Sequence, residues 1–164
     1  MSNEMKQINY PYIPAGRKFL FVPESNPFMA KAKEIRNTKS TDKNVSTGSV
    51  IVADGQIIGE AANQASLSNP KLQDLHKKIC IRKILKIKTG RKYWLCPGCA
   101  KPMEHSEAGA IRDAKKRGND TRGADLYMYG HWWSCKPCWD KMTAAGIRNV
   151  YLLQNSEDLF GDAR

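Results

Sequence analysis

The sequence predicts an α/β fold, a three-layer α/β/α sandwich with a mixed central sheet. Three observations predict it. Short runs of β-branched and aromatic residues recur at residues 50–52, 57–58, 126–129 and 150–153. Segments between them carry apolar residues at helical spacing, and strands alternating with helices need crossovers that cover the sheet with helices. The length of 164 residues, with 41% hydrophobic residues, suits one domain with a substantial core and is short for two.

Residues 1–25 hold Tyr10, Pro11, Tyr12, Pro14 and Pro23 with little periodicity, so an extended N-terminal arm is expected there, ahead of a domain over 26–164. Ser25-Asn26-Pro27 is a helix-start signal, and Phe28, Met29, Ala32 and Ile35 follow at helical spacing. The polar turn Ser40 to Asn44 ends that helix. Val50 and Val52, then Ile57 and Ile58, flank Asp54-Gly55, which predicts a tight hairpin. Asn63 to Pro70 reads as a loop at the edge of a pocket. Leu72, Leu75, Ile79 and Ile84 predict one helix, interrupted only at Thr89-Gly90, with Lys77, Lys78, Arg82, Lys83 and Lys86 on its outer face. Cys96-Pro97-Gly98-Cys99 predicts a tight knuckle. His105 opens a helix that continues through Ala108-Gly109-Ala110-Ile111 and ends by Gly118 to Gly123. Leu126 to Tyr129 is then a strand, Trp139 to Ala145 a helix and Val150 to Leu153 a strand.

Composition narrows the partners. No apolar run approaches the roughly 20 residues needed to cross a bilayer, and the first residues lack a secretory pattern, so no membrane association and a cytoplasmic location are expected. Four of the five cysteines stand in two C-x-x-C pairs, which in a reducing compartment read as metal ligands rather than a disulfide framework. The formal charge of +11 favours a phosphate-bearing partner, a nucleotide or a nucleic acid, against the competing reading of a generally basic surface.

The chemistry concentrates between His105 and Cys138. One imidazole, His105, and two thiolates, Cys135 and Cys138, fill three corners of a zinc tetrahedron and leave the fourth for water. Glu107, two residues after the histidine, is then available for proton transfer rather than metal binding, the competing role being a helix-capping carboxylate. Cys96 and Cys99, with Cys80 and with His76 one helical turn before it, form a candidate second, structural zinc site. The competing reading for these is buried free thiols.

The H-x-E motif of His105-Ser106-Glu107 and the C-x-x-C motif of Cys135-Lys136-Pro137-Cys138 resemble the signature of the zinc-dependent cytidine and deoxycytidylate deaminase superfamily. The hairpin from Thr47 to Gly59 and the passage from Ala144 to Tyr151 are similar to the same family, so the likeness covers roughly residues 27 to 155. Two departures stand out: Ser134 occupies the place of a usual proline, and Gly130-His131-Trp132-Trp133 replaces the usual approach to the cysteines. The resemblance implies a cytidine-deaminase-like fold and hydrolytic removal of an exocyclic amine, with Glu107 as the catalytic acid and base. It implies Asn63, with Thr47 beside it, as a substrate contact, and a homo-oligomer as the assembly. Trp133 is a candidate stacking residue for the base, the competing reading for it and for Trp132 and Trp139 being core packing. Lys39, Lys43 and the basic segment from Lys77 to Lys92 are available for phosphate. The leading expectation is dCMP converted to dUMP. The rivals are deamination of a base within RNA or single-stranded DNA, and a zinc-stabilised binding module without activity.

Overall fold

The structure, a computed structural model, describes residues 8–161. Its strands are β1 (Phe19–Val22), β2 (Gly48–Ala53), β3 (Gln56–Ala62), β4 (Asp125–Tyr129) and β5 (Asn149–Leu153). Its α-helices are α1 (Pro27–Lys39), α2 (Pro70–His76), α3 (Ile81–Ile84), α4 (Ser106–Lys116), α5 (Lys136–Ala144) and α6 (Ser156–Phe160). The strands form one mixed sheet in the order β1-β5-β4-β2-β3. β4, β5 and β1 run parallel, while β2 is antiparallel to both β3 and β4.

Alternation along the central strands builds both faces of the core. Val50, Val52, Tyr127 and Tyr129 point to the side covered by Met29, Ala32 and Ile35 of α1. Ile51, Leu126 and Met128 point the other way, onto Ala110 and Ala114 of α4 and Trp139 and Met142 of α5. A sheet buried on both faces is therefore the middle of three layers, as the α/β pattern requires. Asn26 caps α1 as its sequence signal predicts, its Oδ1 accepting from the backbone N–H groups of Phe28 and Met29 at 3.0 and 3.1 Å. Asp54 and Gly55 turn the hairpin with φ of 50° and 73°, the left-handed pair of a tight two-residue loop. Gly59 lets α4 lie close on β3, since a Cβ there would fall 2.5 Å from the Ala110 carbonyl oxygen.

Two expectations are corrected. Residues 1–7 of the expected arm lie outside the described residues. Within its remainder Phe19–Val22 is not arm but β1, an edge strand paired with β5. All four of its residues are apolar and Phe21 is 57% exposed on that edge, so no alternation of polar and apolar residues announces the strand. The single helix expected from Leu72 onward is instead α2 and α3 separated by a turn, with Cys80 extended between them (φ −110°, ψ 116°). Its apolar residues do not face the core. Leu75, Ile79 and Ile84 are exposed, whereas His76, Cys80 and Arg82 are buried, Arg82 completely. The break between α2 and α3 goes together with His76 and Cys80 meeting at one point while the leucines face outward.

Candidate active site and a second cysteine cluster

Beyond the carboxyl end of β4 the starts of two helices meet. His105 is the N-cap of α4 and Cys135 the N-cap of α5, both with extended backbone. This places the His105 Nδ1 3.4 Å from Cys135 Sγ and 3.4 Å from Cys138 Sγ. Zinc bonds of about 2.0 Å to nitrogen and 2.3 Å to sulfur at tetrahedral angles separate such donors by about 3.5 Å. The three expected ligands therefore fit the ion. The His105 Nε2 faces the Ala100 carbonyl oxygen at 3.2 Å, which fixes the proton there and leaves Nδ1 as the coordinating atom.

The protein's own electrostatics favour the ligating state at Cys135 and the protonated state at Cys138 and His105. The Cys135 thiol is pulled down to about 6, first by its hydrogen bond with the Cys138 thiol, then, against burial, by the His105 ring. Cys138 is pushed up by the same Cys135 contact and by burial. For His105 burial favours the neutral ring, but Cys135 and the charge of Glu107 raise its pKa overall. The positive ends of α4 and α5 point at these sulfurs and favour thiolate.

Glu107 lies in the first turn of α4, 4% exposed. Its Oε1 accepts a 2.6 Å hydrogen bond from Ser134 Oγ, and its Oε2 a 3.3 Å bond from Ser106 Oγ, which in turn lies 2.8 Å from Ser49 Oγ. Ser134 is thus more than a departure from the family pattern, because its hydroxyl holds the carboxylate, which proline cannot do. The signal was its position directly before Cys135. A role for its side chain was not legible, because the contact runs from the loop before α5 to the first turn of α4.

Thr47, Asn63, His105, Glu107, Trp133 and Cys135 line one cavity of about 50 Å³. All three expected substrate contacts are therefore on its wall. Asn63 is already engaged. Its Oδ1 accepts from Ser40 Oγ at 2.5 Å and the Thr47 N–H at 3.0 Å, and its Nδ2 donates to the Val45 carbonyl at 2.6 Å. The second Nδ2 hydrogen is not used by any bond among the described residues. Trp133 is buried, its ring 4.7 Å from Tyr10, whereas Trp139 is core, with Nε1 donating to the Tyr12 carbonyl. Trp132 is half-buried beside it. Lys39 pairs with Glu60 at 2.8 Å, and Lys43 donates to the Ser40 carbonyl at 3.1 Å, so neither is aimed at this cavity.

The segment between β3 and α4 carries a second cluster. Nε2 of His76 is 3.4 Å from Cys99 Sγ, and Cys80 Sγ is 3.7 Å from it; with Cys96 all four donors lie within 4.8 Å of one another and all are buried. These separations also suit a tetrahedral ion, here with every corner supplied by the chain. Although burial raises the Cys96 thiol, the N–H groups of Ile81, Gly98 and Cys99 and the His76 ring bring it down to about 7. Gly98 is required, because a side chain there would overlap the His76 ring. Behind that ring stands Asp42, which was not foreseen. Its Oδ1 is 3.6 Å from His76 Nδ1, and its Oδ2 accepts from the Ala100 N–H at 2.9 Å. Asp42 also reaches the wall of the first cavity, so it joins the two clusters.

A mixed sheet with a histidine, a carboxylate and two cysteines at converging helix starts defines a metal-dependent hydrolase site. The family model described as the cytidine and deoxycytidylate deaminase zinc-binding region matches residues 23–154, and the chain belongs to that family. It is a zinc-dependent nucleobase deaminase. No curated protein matches the chain. Among solved structures, a dCMP deaminase from cyanophage S-TIM5 in complex with dCMP and dUMP superposes with a TM-score of 0.50 at 17% identity, covering 83% of this chain and 88% of that one. A guanine deaminase from Bacillus subtilis has a TM-score of 0.45 at 20% identity, covering 82% and 68%. A diaminohydroxyphosphoribosylaminopyrimidine deaminase/5-amino-6-(5-phosphoribosylamino)uracil reductase from Thermotoga maritima has a TM-score of 0.46 at 24% identity, covering 76% of this chain. The chain spans only 28% of that protein's length. The likeness to the cyanophage enzyme is one of fold. No helix among the described residues is long and apolar enough to cross a membrane.

Proposed function

We propose that the chain hydrolyses the exocyclic amine of cytosine in a nucleotide, most directly converting dCMP and water to dUMP and ammonia. The observation that carries this is Glu107, held by Ser134 and Ser106 on the wall of the cavity that His105 and Cys135 also line. Its small volume, about 50 Å³, favours a single-ring base, and the charge of +11 favours one that brings a phosphate.

His105, Cys135 and Cys138 would hold a zinc ion, which supplies Lewis-acid activation of a water in the fourth position. Glu107 accepts the proton of the attacking water and delivers it to the ring nitrogen N3. The new C–O bond forms at C4. Glu107, again a carboxylate, then takes the proton of the new C4 hydroxyl and passes it to the amine as the C–N bond breaks, so that ammonia leaves and a keto base remains. Trp133 packs beside the ring, and the remaining Asn63 N–H and Thr47 bound the sugar side of the cavity.

His76, Cys80, Cys96 and Cys99 would hold a second zinc with no open corner, whose role is to fold the segment between β3 and α4. Self-association into a homo-oligomer belongs to the same reading, supported by the exposed Leu72, Leu75 and Ile79. So does a reducing, cytoplasmic setting, which suits five unpaired cysteines.

The test incubates purified protein with dCMP, CMP, cytidine and a cytosine-containing oligonucleotide and follows ammonia release. Turnover of dCMP, with two zinc ions per chain, is the expected result. Turnover of none of these, with guanine turned over when supplied as a fifth substrate, would overturn the cytosine assignment. A second reading, cytosine within a nucleic-acid strand, is favoured by a larger cavity beside the first.

A further inference from the structure

We infer that this larger cavity is a subsite for the neighbouring nucleotide of a single-stranded nucleic acid whose target base enters the smaller one. The inference rests on the deaminase reading and extends its substrate from a mononucleotide to a strand.

The cavity measures about 420 Å³ and shares Val45, Thr89, His131 and Trp133 with the smaller one, so the two adjoin across these side chains. Its remaining wall mixes two chemistries. Lys88 and Arg91 supply cations, and no carboxylate lines it among the described residues. Tyr10, Trp132 and Phe160 supply aromatic surface. The terminal phosphate of a mononucleotide uses cations but has no need of aromatic walls or of so much room. A base stacked on an aromatic face, joined through its phosphate to the target nucleotide, uses both.

The rim is built rather than loose. Arg82 is completely buried on α3, its Nε donating to the Arg91 carbonyl at 3.0 Å and its guanidinium lying 4.3 Å from the Tyr93 ring centre. Arg91 Nη2 donates to the Ile8 carbonyl at 3.2 Å, which ties the N-terminal segment to the same rim. Gly90, with φ of 85°, lies beneath the Tyr10 ring, and any Cβ there would come within 2.6 Å of it. Tyr10 in turn packs on Trp133. Lys88 is exposed and makes no ion pair among the described residues, so its charge is available at the mouth.

The experiment compares zinc-loaded full-length protein on dCMP and on nine-residue single strands, one DNA and one RNA, each with one central cytosine. Strand binding is read separately by fluorescence anisotropy of an end label. The wild type is expected to bind at least one strand more than about tenfold more tightly than dCMP competes for it. Trp132→Ala is expected to weaken strand binding by roughly 5- to 100-fold. Lys88→Ala should lower the ratio of strand to dCMP kcat/KM and reduce the salt dependence of log K by about one. Lys116→Ala, an equal loss of charge at the far end of α4, should leave that ratio alone. The DNA and RNA arms decide which sugar the subsite takes. Strands that bind no better than dCMP, or binding indifferent to both Lys88→Ala and Trp132→Ala, would overturn the subsite while dCMP turnover kept the deaminase reading. Strand binding that depends on Lys88 and Trp132, with no ammonia from any substrate, would uphold the subsite and count against that reading.

Discussion

The two cysteine clusters use the same donor types at the same spacing and are built for opposite ends. The first has three donors, on the starts of α4 and α5, and a cavity with a hydrogen-bonded carboxylate where a fourth donor would stand. The second has four donors, all buried, on turns that have little other reason to hold their shape. Layers of packed side chains position the first cluster, so its ion can be left open for chemistry. Around the second, Leu75, Ile79 and Ile84 face outward, and on the proposed reading an ion held by the four donors supplies the cohesion.

Glu107→Gln should break the comparison most sharply. Turnover is expected to fall by roughly 10²- to 10⁴-fold with both metal equivalents and the melting temperature retained. Steady-state kinetics beside metal analysis checks it, and a loss of zinc would mean that Glu107 is a ligand. Cys99→Ser touches the other cluster. One zinc equivalent should be lost and stability should drop by about 4 kcal/mol in denaturant titration, the range reserved for a lost metal site. A fully stable Cys99→Ser protein would remove the structural role assigned here.

Ser134→Ala sharpens the functional side. A hydrogen bond to a charged group is worth about 1.5–3 kcal/mol, so kcat should fall about tenfold or more with KM and zinc content unchanged. A rise in KM alone would place Ser134 against substrate instead. The smallest effect is expected from Ile84→Glu, at an exposed position outside the proposed interface, within about 0.5 kcal/mol of wild type. A large loss there would show that the segment between β3 and α4 is held by apolar burial in an assembly and not by its thiols.

Much of the site was legible because its signals are local. His105 and Glu107 are two residues apart at one helix start, and Cys135 and Cys138 share one turn of another, so spacing alone aims each pair. Ser134 and Asp42 escaped because they act across elements 27 and 34 residues away in sequence, on Glu107 and His76. Arg82 was assigned to a basic outer face by its neighbours, yet it lies completely buried against Tyr93. Periodicity misled there because the segment's inward face is made of ligands and a cation, not of the apolar residues the helical pattern counts.

By itself the sequence determined the alternation of strands and helices, the caps and hairpin turn, and the two pairs of metal donors, since each depends on residues within a turn or two of one another. Only the tertiary structure decided that Phe19–Val22 closes one edge of the sheet, that His76 joins the second cluster under Asp42, and that the small cavity adjoins a larger one edged by Lys88 and Arg91. Those outcomes depend on which surfaces meet when both faces of the sheet are covered, and that meeting is a property of the packed chain.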